Sequence, residues 1–224
     1  MNTLRQRGLT MIELLIGMAV GLFIVAASTG LLTGNLRENR LLLIESRLMQ
    51  DLRSAADIIT RDLRRAGYWA AANAGVRGDG IAPVLANPYV EVTPGGAAAD
   101  TVSFRFSRDT TENNTVDSNE QFGFRLRNGA IELQLGAGNW QALTDPATLT
   151  VTEFRVTPTV EEIDLAGFCP SPCPAGSSTC PPRQQVRSLA LLIGGRATAD
   201  AKLTRSVRSQ VRLRNDPIVG VCPV

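Results

Sequence analysis

The chain has 224 residues, room for one or two domains, with 23 Lys and Arg against 21 Asp and Glu and no His. Without His the commonest general base and metal ligand is missing, which argues against hydrolase triads and most zinc sites. The near balance of charge argues against a nucleic-acid surface, which needs net or clustered positive charge.

A short basic leader, residues 1–8 with Arg5 and Arg7, ends at Gly8. An apolar segment follows and is interrupted by one acid, Glu13. Leu14 through Leu36 carries no charged side chain over 23 residues. At about 1.5 Å per residue such a helix runs roughly 35 Å, enough to cross a bilayer core of about 30 Å. A secretory signal peptide does not fit, because its apolar region is about 7–15 residues long and its cleavage site comes afterwards. A plain signal anchor accounts for the length and the basic flank but not for Glu13. An acid at membrane depth costs on the order of a few kcal/mol and marks a functional position.

Gly8, Leu9, Thr10, Met11, Ile12, Glu13 and Leu14 together resemble the processing motif of the type IV prepilin family. The resemblance implies that a prepilin peptidase cuts after Gly8 and methylates the new amino terminus at Leu9. It also implies that Glu13 neutralises that cation on an adjacent subunit and so sets subunit registry. An ammonium and a carboxylate are each costly alone in hydrocarbon and tolerable as a pair. Two positions depart from the major pilins, which usually have Phe where Leu9 stands and often a helix-bending Pro where Gly30 stands. Arg5 and Arg7 keep their side of the helix in the cytoplasm. The remainder then faces the periplasm, as in a single-pass inner-membrane protein that enters the pilus on assembly. Cleavage would remove Arg5 and Arg7 and leave the two charge signs balanced. Gly17-x-x-x-Gly21 and Gly30-x-x-x-Gly34 are small-residue pairs that let a second helix come close.

Past Leu36 the helix is expected to continue. Ile44, Leu48, Leu52, Ala55, Ile59, Leu63 and Ala66 recur every three or four residues, and charged residues fill the positions between. No Pro interrupts Leu9 through Ala66, and Gly67 suits a C-terminal cap. The expected division is a leader at 1–8, a transmembrane helix at 9–36, the amphipathic half of the same helix at 37–67 and a periplasmic head at 68–224.

Residues 70–100 are rich in Ala, Gly and Pro and read as a surface loop with short pieces only. Strand patterning begins with Val102, Phe104 and Phe106, and recurs at Phe122, Phe124 and Leu126 and again at Ile131, Leu133 and Leu135. Asn128-Gly129 between the last two reads as a tight hairpin turn. Leu149, Val151, Phe154 and Val156 suggest a bulged strand, and Val186–Ile193 and Arg205–Leu213 two more. Strands without intervening helices make an antiparallel sheet. The fold class is therefore α+β, a long amino-terminal helix on an antiparallel β head of the pilin kind.

Four positions invite a site reading. Residues 109–120 form a polar loop rich in oxygen ligands, but the spacing is not that of an EF-hand, and a solvated hairpin tip is the simpler reading. Cys169, Cys173, Cys180 and Cys222 face an oxidising compartment and read as disulfides that staple a Pro-rich loop and tie the carboxyl tail to it; three connectivities are open. Glu161-Glu162 reads as a solvated loop, and Gly194-Gly195-Arg196 as a turn, since it lacks the Lys-Ser/Thr of a phosphate loop. No nucleophile–base set can be assembled, so no catalytic residue, metal site or cofactor is expected.

Two further segments, Arg64-Arg65-Ala66-Gly67-Tyr68 and the closing strand Val207–Asn215, are similar to minor pilins of the PilW type. That resemblance implies a non-catalytic subunit that primes pilus assembly and sits at the filament tip. Its partners would be prepilin peptidase, other minor pilins, the major pilin and the inner-membrane assembly platform. Minor pseudopilins of type II secretion, of the J type, share the architecture and stand as one alternative. A tip adhesin or DNA-uptake module is another, and it needs an exposed basic or aromatic patch.

Overall fold

The computed structural model describes residues 10–75 and 85–223. Gly8 and Leu9, the expected cleavage and methylation positions, lie outside the described residues. The chain divides into two compact units, Met1–Ser46 and Arg47–Val224.

Helix α1 spans Met11–Leu63. It contains an 18-residue window of mean hydropathy 2.2, none of which is buried by protein. That excludes an ordinary core helix, whose apolar face would be covered. The hydroxyls of Thr29 and Thr33 donate back to carbonyls three and four residues earlier, at 2.9–3.0 Å, so neither is left unsatisfied in the apolar stretch. The later turns bury Leu48, Leu52, Ala55, Ala56, Ile59 and Leu63, as the three-to-four spacing requires. Beyond Leu63 the N–H groups of Arg65 and Ala66 bond carbonyls three residues back, which tightens the last turn. Gly67 then leaves the helix at φ +75°, the left-handed cap.

In the second unit two antiparallel sheets carry the rest. The first runs β1 (Val92–Thr93), β2 (Thr101–Arg105), β3 (Gln121–Arg127), β4 (Ala130–Leu135) and β5 (Trp140–Ala142) in that order. Val102, Phe104 and Phe106, with Phe122 and Phe124, alternate inward and are buried. Four of these rings stack with centroids 4.1–6.2 Å apart. Asn128 (φ 51°) and Gly129 (φ 75°) close the β3–β4 hairpin, so both central residues take the left-handed geometry that favours Asn-Gly.

The second sheet has β6 (Leu149–Asp164), β7 (Arg183–Ala197) and β8 (Asp200–Arg212) in order, with β9 (Ile218–Val219) also paired to β7. The expected bulge lies between Val151 and Glu153. Two expectations fail here. Gly194-Gly195-Arg196 is not a turn but the continuation of β7. Glycine stands there because the core is tight: a Cβ on Gly195 would lie 2.5 Å from Leu149 Cδ1 and 3.4 Å from Leu52 Cδ2. Glu161-Glu162 is not a loop but the exposed end of β6, where Glu162 meets Arg183 at 3.3 Å and accepts from Gln185 at 2.9 Å. The short strands β1, β5 and β9 carry too few residues for the alternation to register in the sequence.

Candidate functional site

The first turn of α1 holds the singular acid. Thr10 precedes the helix, and its N–H and hydroxyl both donate to one Glu13 oxygen at 2.9 Å. The Glu13 N–H returns a bond to Thr10 Oγ1 at 3.3 Å. This reciprocal arrangement is a capping box, which satisfies amides that the helix start leaves without partners. The Thr-x-x-Glu spacing that announces it is visible in the sequence but lies inside the prepilin motif, which is what the sequence reading took up. Glu13 is exposed in the chain alone. At 100° per residue Glu13, Gly17 and Gly21 lie along one face, four residues apart. Gly30 and Gly34 share a second face, turned well away from the first. A Cβ on any of these four glycines would meet nothing within 4 Å. Each is thus a bare patch of helix surface.

In the head, the 109–120 segment is more than a solvated tip. Glu120 is fully buried. Its oxygens accept from Arg108 N–H (2.7 Å), Asp117 N–H (2.9 Å) and the Tyr89 hydroxyl (3.1 Å). Asp109, Asp117 and Glu120 bring one oxygen each within 4.8 Å of one another. The donors to Glu120 engage both of its oxygens and fold the loop around it. Glu112 adds a second strap, reaching Tyr89 Oη at 3.0 Å and accepting from Asn114 N–H and Ala70 N–H. Asn114, itself left-handed at φ 59°, accepts from Trp69 Nε1 at 2.9 Å. Burial pushes the Glu112 carboxyl up, but the hydrogen bonds donated to it win, and its pKa falls below the usual carboxylate range. Burial first, and then the two carboxylates, push the Tyr89 phenol far up. Sequence reasoning missed Tyr89 because its partners lie 23 and 31 residues away.

The cysteines pair as Cys169–Cys222 and Cys173–Cys180, which resolves the three open connectivities and ties the carboxyl tail to the Pro-rich loop. Arg187 is a half-buried tie of another kind. Its guanidinium donates to the carbonyls of Val90 (2.6 Å) and Asn215 (3.1 Å), holding two separate segments to β7. Burial lowers its pKa, and Asp216 opposes the shift.

Two family profiles match. The prokaryotic N-terminal methylation motif covers residues 3–29, and prepilin peptidase-dependent protein B covers residues 41–213. No curated protein and no solved structure matches the chain. The first profile spans the first part of the exposed apolar helix with its capped acid, and the second spans more than half the chain, from the later turns of α1 through β8. The chain is a membrane-anchored, type IV prepilin-like protein and belongs to the prepilin peptidase-dependent protein B family.

Proposed function

We propose that this protein is a minor pilin of the PilW type, a structural subunit that primes type IV pilus assembly and enters the filament tip with other minor pilins. In this reading prepilin peptidase removes residues 1–8 and methylates Leu9. Residues 9–36 then hold the chain in the inner membrane with the head in the periplasm, until the assembly platform extracts it. Glu13 pairs with the cationic terminus of a neighbouring subunit, and Gly17 and Gly21 let that neighbour's helix approach on the same face. The single observation that carries the reading is a carboxylate on an exposed apolar helix, in line with two bare glycines.

The capping box sharpens the test, because a cap and a counter-charge make different demands. Gln keeps the cap, since its side-chain oxygen still accepts from Thr10, but it removes the charge. Glu13→Gln should be cleaved normally and be absent from sheared filaments, as should Glu13→Ala. Filament content equal to wild type in Glu13→Gln would show that Glu13 only caps the helix and would reject the registry role.

A further inference from the structure

Among the described residues the two sheets of the head end in four edge strands, and three of them are short, tied or blunted. The first sheet ends in strands of 2 and 3 residues, β1 and β5. The outer edge of β6 is tied at Val156 and Ala99, which exchange N–H···O bonds of 2.8 and 2.9 Å, and at Val151, whose N–H donates to Gly129 O at 2.7 Å; beyond Val156 it carries Pro158, which has no N–H to offer, and the acids Glu161, Glu162 and Asp164, which blunt it. β8 is different. It is 13 residues long and, among the described residues, has a strand neighbour on one side only, β7.

The register shows which groups face outward. Leu213 N–H donates to Arg187 O at 3.0 Å, so that facing pair is of the hydrogen-bonded kind. The register then runs without a shift from Ser188↔Arg212 to Arg196↔Thr204. Bonded and non-bonded pairs alternate, so the odd residues of β8 bond to β7. The even ones, Thr204, Ser206, Arg208, Gln210 and Arg212, turn their N–H and C=O groups away from it. Thr204 O is taken by the Arg205 side chain at 2.8 Å. From Ser206 to Arg212 the strand is a template for pairing, which native proteins blunt when it serves no purpose.

The side chains state what the template accepts. β8 carries Lys202, Arg205, Arg208 and Arg212 against one acid, Asp200, with Asp216 just beyond the strand paired to Arg212 at 2.7 Å. Arg208 stands in one row with Leu192 and Arg155 on the outward face of the sheet. Two copies of β8 set edge to edge would oppose like charges, which is destabilising across strands. We propose that the free edge of β8, from Ser206 to Arg212, is a strand-addition site for an acidic extended segment of another protein. Main-chain bonds along the even residues supply the pairing, and the exposed Arg208 selects an acid opposite it, beside Arg212, which already meets Asp216 at 2.7 Å. The proposal rests on the head alone and stands or falls independently of Glu13.

The test uses the full chain in detergent micelles and two synthetic nonapeptides, one alternating Glu and Val, the other Lys and Val. Residue-level hydrogen exchange should show the amides of Ser206, Arg208, Gln210 and Arg212 gaining about tenfold protection or more with the Glu–Val peptide and none with the Lys–Val peptide. Arg208→Pro deletes one outward N–H where an edge strand tolerates Pro, and should weaken binding about tenfold. Retained protection at the odd amides confirms that this variant is folded; should it not fold, Arg208→Glu must show the same loss. Unchanged even amides at saturating peptide, equal protection by both peptides, or wild-type affinity in the variants would each overturn the proposal. So would retention of a DNA oligonucleotide without peptide protection, which would make the basic row a nucleic-acid face.

Discussion

In the proposed function Glu13 serves both the helix and the filament with one side chain, because the two demands fall on different properties. The cap needs an acceptor oxygen, and a counter-charge needs a full negative charge. Glu112 and Glu120 show the first of these uses in the head, where their carboxylates accept from loop amides and face the Tyr89 phenol. Because the Glu112 pKa is depressed on folding, its stabilisation is present above the unfolded carboxylate value and is lost as pH falls through the folded one. The fluorescence of Trp69, whose indole is bonded to Asn114 in that loop, reports the loss once Trp140 is replaced by Phe. The signal should stay flat from neutral pH to about 5 and change below about 4; a transition near neutrality would contradict this assignment. Glu120→Gln places an N–H₂ against the Arg108 or Asp117 N–H and should cost about 1–3 kcal/mol in chemical unfolding.

Elements were legible where a period runs long enough to count. The helix from Leu48 to Leu63 and the hairpin at Asn128-Gly129 lie where the spacing and the turn dipeptide put them. Failures came where a residue answers to a neighbour remote in sequence. Gly194-Gly195 looked like a turn because glycine commonly makes turns, yet here it admits Leu149 and Leu52 to the face of β7. Gly195→Val should therefore destabilise the head by about 1–3 kcal/mol, through overpacking rather than a lost turn. Gly96→Ala, where a Cβ meets nothing within 4 Å, should stay within about 0.5 kcal/mol of wild type. Equal effects in equilibrium denaturation would contradict the packing role. Glu161-Glu162 was misread for a related reason: β6 runs as far as β7 can pair with it, and its solvent-exposed end needs no apolar residues. The site followed the same rule. Glu13 stands out locally as one acid in an apolar run, whereas Tyr89, Arg187 and the disulfide pairing depend on contacts that no local pattern records.

At the scale of the molecule, an exposed apolar helix and a disulfide-tied β head meet in a chain whose positive excess lies wholly in residues 1–8. The account requires that these residues be removed, since only cleavage creates the terminal cation that Glu13 would meet on a neighbour. Intact-mass spectrometry of the protein recovered from cell membranes tests this directly. The account predicts a chain that begins at Leu9 and carries an added methyl group on its amino terminus. A mass that retains Met1 through Gly8 in cells with an active prepilin peptidase would contradict it.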